Sequence, residues 1–86
     1  MKRKQLIRAE VLLQLYGAGM AMAITPAFMA RQARLEGADY TESEMLEAAL
    51  FQCGQGYAAE QTETHTGVRR FQITSAGMLQ HERTGL

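Results

Sequence analysis

The chain is expected to fold as a single mainly helical α+β domain: three helices, a β-hairpin over about 57–73 and a closing C-terminal helix. Three observations carry this. Thr41-Glu42-Ser43-Glu44 is a capping box that opens a helix, with hydroxyl and carboxylate each satisfying a free amide of the other residue. Val68-Arg69-Arg70-Phe71-Gln72-Ile73 alternates, placing Phe71 and Ile73 on one face and Arg70 and Gln72 on the other. Thr74 or Ser75 then supplies the cap of a following helix.

The remaining elements follow in chain order. Leu6, Ala9, Leu13 and Tyr16, with Leu12 beside them, recur at helical spacing and predict a helix over 3–16 that ends at Gly17-Ala18-Gly19. Met20 to Ile24 is a short apolar piece suited to a small first strand. Thr25-Pro26 combines a hydroxyl cap with proline at the first helical position, so a second helix runs to about Leu35. Phe28, Met29, Gln32, Ala33 and Leu35 take one broad side of it, and Arg31 and Arg34 the other. In the third helix Leu46, Ala49, Leu50 and Cys53 form the expected buried stripe, with Glu44, Glu47, Ala48 and Phe51 opposite. Gly54 and Gly56 end that helix. Tyr57-Ala58-Ala59 begins an extended run, and residues 63–67 make a polar turn.

Eighty-six residues suffice for one domain, 1–86, with one modest core, and an apolar fraction of 47% with a single proline fits a folded globule. The formal net charge is zero, but its distribution is uneven. Residues 1–34 hold six bases against Glu10, residues 35–63 hold seven acids and no base, and residues 64–86 hold Arg69, Arg70 and Arg83 against Glu82. An acidic middle cancels two basic ends. Cys53 is the only cysteine and there are two histidines, so neither an internal disulfide nor a structural zinc site is expected. The start imitates a secretory leader, yet Arg8, Glu10 and Gln14 interrupt its apolar part. The apolar run from Gly17 to Ala30 is too short to span a bilayer. A cytoplasmic protein with no membrane partner is expected.

The succession from Cys53 to Arg83 resembles the wing and final helix of the winged-helix family. Thr66-Gly67, Arg70 and Ile73-Thr74 stand where such hairpins run into a helix, here Thr74-Ser75-Ala76-Gly77. The stretch Ala49 to Tyr57 is similar to the family's passage from third helix to wing, with the final spacing one residue short. The resemblance covers roughly residues 20–83. It implies a small DNA-binding protein similar to winged-helix transcriptional regulators, with Arg69 and Arg70 gripping phosphate and Arg31, Arg34, Thr41 and Ser43 assisting.

Each site has a plainer reading. One of Arg69 and Arg70 equally suits pairing with Glu60 or Glu63 across the hairpin. Glu42, Glu44 and Glu47 suit a solvated face and a helix N-terminus but repel a polyanion. Lys2-Arg3-Lys4 suits a frayed terminus. Met20, Met22, Met29, Met45 and Met78 suit core filling, and His81 suits the surface. The alternative function is a protein-interaction adaptor, or a homodimer, using Phe51 with Glu44, Glu47 and Ala48. The family resemblance puts DNA first; the charge map argues for the adaptor. No nucleophile–base grouping, phosphate loop, cofactor motif or small-molecule substrate site stands out, and an enzyme is not expected.

Overall fold

The computed structural model describes residues 2–33 and 40–84. It has four helices and one antiparallel hairpin: α1 (Arg3–Ala18), α2 (Pro26–Gln32), α3 (Glu42–Gly54), β1 (Ala58–Thr62), β2 (Arg69–Ile73) and α4 (Ser75–Thr84). The fold is α+β, mainly helical, with a winged-helix-like order of elements.

Local chemistry sets most boundaries. The Thr25 hydroxyl accepts from the Phe28 amide at 3.2 Å and Pro26 occupies the first helical position. Thr41 and Glu44 form the expected reciprocal box, and Glu42 and Glu44 complement the helix dipole. α3 ends in a Schellman turn: the Gly56 amide donates to the Cys53 carbonyl at 3.0 Å and the Tyr57 amide to the Gln52 carbonyl at 2.9 Å. Gly56 sits at φ 80°, which is why glycine stands there. Thr74 both accepts from the Gly77 amide and donates to the Gly56 carbonyl, so it ties the cap of α4 to the end of α3. A Cβ on Gly77 would stand 2.1 Å from the Tyr57 carbonyl oxygen. Only glycine allows α4 to lie this close to the base of the hairpin.

The hairpin register pairs Ala58 with Ile73, Glu60 with Phe71 and Thr62 with Arg69. Phe71 and Ile73 face the core as expected. The anticipated first strand is one bridge, in which Ile24 and Phe71 exchange two backbone hydrogen bonds of 2.8 Å. It fastens β2 to the link before α2.

The helix faces differ from the sequence reading. In α1 the buried positions are Ile7, Glu10, Val11, Leu12 and Leu15, whereas Ala9 and Leu13 are exposed. In α3 they are Met45, Ala48, Ala49 and Gln52, while Leu50 is exposed and Leu46 and Cys53 are half-buried. Each true stripe contains a polar residue: Gln52, whose Nε2 donates to the Arg8 carbonyl at 3.0 Å, and Glu10, which accepts one hydrogen bond, from Gln14 Nε2 at 2.8 Å. Both helices are thereby rotated from the purely apolar arrangement. Met29 and Met45 are core, Met78 is partly buried, and Met20 and Met22 are exposed, contrary to a core-filling role. α2 ends at Gln32, earlier than expected, and Arg34 and Leu35 lie outside the described residues.

Candidate functional site

Two surfaces come into question: the α3–hairpin side singled out by the sequence, and a groove between α1 and α2.

On the first, charges are answered within the fold. Arg3 forks onto Glu44, with Nε–Oε2 at 2.7 Å and Nη2–Oε1 at 3.0 Å, and lies 4.5 Å from the centroid of the Tyr40 ring. This fork and the Thr41 amide hold the Glu44 carboxyl down at about 2, and the same pair raises the Arg3 guanidinium. Lys4 reaches Glu47 at 3.4 Å. The Arg8 guanidinium covers the Phe51 ring at 3.7 Å from its centroid. The basic start of the chain is therefore helical and docked on the acidic face of α3, not a frayed end. The four residues expected to form a docking face are not equally available there. Ala48 is only 4% exposed and packs in the core, Glu44 is half-buried, and Phe51, though 37% exposed, is covered by Arg8.

In the hairpin each arginine meets a glutamate. Arg69 takes Glu60 through two nitrogens, one of the contacts at 3.1 Å, which lowers the Glu60 carboxyl and raises Arg69. Arg70 reaches Glu63 at 3.1 Å. Neighbouring residues on a strand point to opposite faces, so Arg69 and Arg70 do not form one grip. Arg69 borders a cleft of about 390 Å3 with Thr25, Pro26, Glu42, Leu46 and Val68. Arg31, exposed at the far end of α2, is not part of it. Thr41 and Ser43 are exposed at the start of α3.

The second surface was not singled out by the sequence. Leu13, Met20, Met22 and Phe28 are 48%, 47%, 56% and 41% exposed. Leu13, Met22 and Phe28 line a groove of about 360 Å3 with Glu10, Gln14 and Gln32. Glu10 is 5% exposed, and it forms no ion pair among the described residues. Gln14 gives both its amide hydrogens to Glu10 and the Met29 carbonyl, at 2.8 and 3.0 Å, leaving its own oxygen buried without a partner. The available signal was the surplus of apolar residues between Gly17 and Ala30, too many for the one short helix there to bury.

Elsewhere, burial raises the half-buried Cys53 thiol, which disfavours the reactive thiolate. His81 is half-buried rather than on the surface, its ring centroid 4.4 Å from that of Tyr16, whose hydroxyl donates to Glu82 at 2.9 Å. Among the described residues there is no group of three potential metal ligands, and no helix long and apolar enough to cross a membrane. No family model, curated protein or solved structure matches the chain.

Proposed function

We propose that the chain is a winged-helix-like interaction module that docks a protein through the α1–α2 face, not through α3 or the hairpin. One contrast supports this reading. Every charged group of α3 and the hairpin assigned to a site is matched inside the fold, whereas three large apolar side chains, Leu13, Met22 and Phe28, stay exposed around one groove. Contiguous exposed apolar side chains mark interaction surfaces more often than scattered ones do. Leu50 and Leu79 are exposed on other elements and need no such explanation.

A photocrosslinking amino acid placed in turn at Leu13, Phe28, Ser43 and Arg70 tests this in cells. Protein adducts from the first two positions and none from the last two support the reading. Adducts confined to Ser43 and Arg70 overturn it.

A second reading, DNA binding in the manner of a transcriptional regulator, draws support from the winged-helix-like order and the bridge that ties Ile24 to the hairpin. Fold layout is an analogy rather than a site, and the hairpin arginines this reading puts first, Arg69 and Arg70, are already paired. Exposed ion pairs contribute little, with a typical worth of about 0–1 kcal/mol, so phosphates are able to compete for them. Salt-dependent DNA binding is the measurement that decides between the two.

A further inference from the structure

We propose that the occupant of the α1–α2 groove is a partner segment that inserts one lysine or arginine among apolar side chains, its charge meeting Glu10. The inference rests on the α1–α2 docking reading and names the chemistry of the partner.

The argument starts from the floor of the groove. A buried carboxylate is costly unless it is paired or well hydrogen-bonded. Glu10 has the Gln14 amide and no cation among the described residues, although Glu44, Glu47, Glu60 and Glu63 each have one. Among the described residues, the one ionisable side chain lining the groove is therefore acidic and has no cation beside it. Beside it the Gln14 carbonyl oxygen lacks a donor. The Glu10 carboxylate accepts, so the complementary occupant donates. The walls, from Leu13, Met22, Ile24 and Phe28, are apolar and suit the methylene stem of a long basic side chain.

Size separates a protein segment from a free amine. At about 360 Å3 the groove lies in the range of ligand clefts, about 300–1,000 Å3. However, Leu13, Met22 and Phe28 stay 48%, 56% and 41% exposed around it, a broader apolar rim than a small amine would cover. Charge complementarity of this kind selects among partners more than it adds raw affinity.

The test uses isotope-labelled protein and three amphipathic peptides of about twelve residues, leucine- and alanine-rich, that differ at one central position: lysine, norleucine or glutamate. The lysine peptide should shift the amide signals of Leu13, Gln14, Met22 and Phe28 and bind at least tenfold more tightly than the norleucine peptide. Glu10→Gln keeps the size of the side chain and an acceptor for Gln14, and should bring that ratio close to one. Equal affinities in the unaltered protein, a preference for glutamate, or a lysine preference that survives Glu10→Gln would overturn the inference. So would the absence of binding by all three peptides. In that event, crosslinks from Leu13 and Phe28 would still uphold the face with a different occupant. Self-association abolished by altering those residues would identify that occupant as a second copy of the chain.

Discussion

The α3–hairpin side and the α1–α2 face treat the same problem in opposite ways. On the first, Arg3, Lys4, Arg69 and Arg70 each find a glutamate, and Arg8 covers Phe51. On the second, Glu10 has no cation among the described residues, the Gln14 oxygen has no donor, and Leu13, Met20, Met22 and Phe28 face outward. A region rich in charge is thus self-satisfied, and a region poor in charge is left with unmet demand. Abundance of arginine is a weaker guide to a binding surface than what those arginines already touch.

The largest expected effect tests how the two regions are joined. Phe71 is fully buried, and its backbone is bonded to Ile24. Phe71→Ala should cost about 3–5 kcal/mol, read as a lowered denaturation midpoint. A loss below about 1 kcal/mol would mean the hairpin is not anchored as described. Next comes Gly77→Ala. Its methyl would collide with the Tyr57 carbonyl, so a loss of about 2 kcal/mol or more is expected, against the usual gain in helix propensity from this change.

The comparison itself is sharpened by surface changes. Leu13→Gln combined with Phe28→Gln should alter stability by less than about 1 kcal/mol while removing partner adducts formed at Met22. A large loss of stability would make these residues core and would remove the groove as a docking face. The smallest effect concerns Glu44, whose carboxyl is held at about 2, below the 4.5 of a free carboxyl, first by the Arg3 hydrogen bond. A depressed carboxyl stabilises the fold above the unfolded value, and that contribution is lost as pH falls from about 4.5 to about 2. Carboxyl signals in an acid titration should place the Glu44 midpoint near the lower value, and Arg3→Ala should raise it. An unchanged midpoint would show that Arg3 is not its partner.

Elements built from local chemistry were legible in the sequence. The Thr41–Glu44 box, Thr25-Pro26, the Thr74 cap and the Phe71–Ile73 alternation each need only neighbours within a few residues, and all appear where expected. Helix rotation was not legible. It turns on Glu10 and Gln52, polar residues whose burial is permitted by partners on other elements or a turn away. The pairing of Arg69 and Arg70 stood among the alternatives because a hairpin fixes which residues meet. Arg3 and Glu44 lie 41 residues apart, and their meeting depends on how α1 docks on α3. The groove was hidden for the same reason, since Leu13 and Phe28 line it together only because α1 and α2 both pack on α3.

The contrast between the two surfaces is tested most directly by titrating labelled duplex DNA with the protein at several salt concentrations. Wild type and the Arg69→Glu, Arg70→Glu double variant are compared. Binding that neutralises phosphates releases counterions, so affinity then falls steeply with salt. With Arg69 and Arg70 already paired, the wild-type protein is expected to bind weakly with a shallow salt dependence, and the double variant to behave nearly alike. Tight binding with a steep salt dependence that flattens in the double variant would contradict the account and make the hairpin the functional surface.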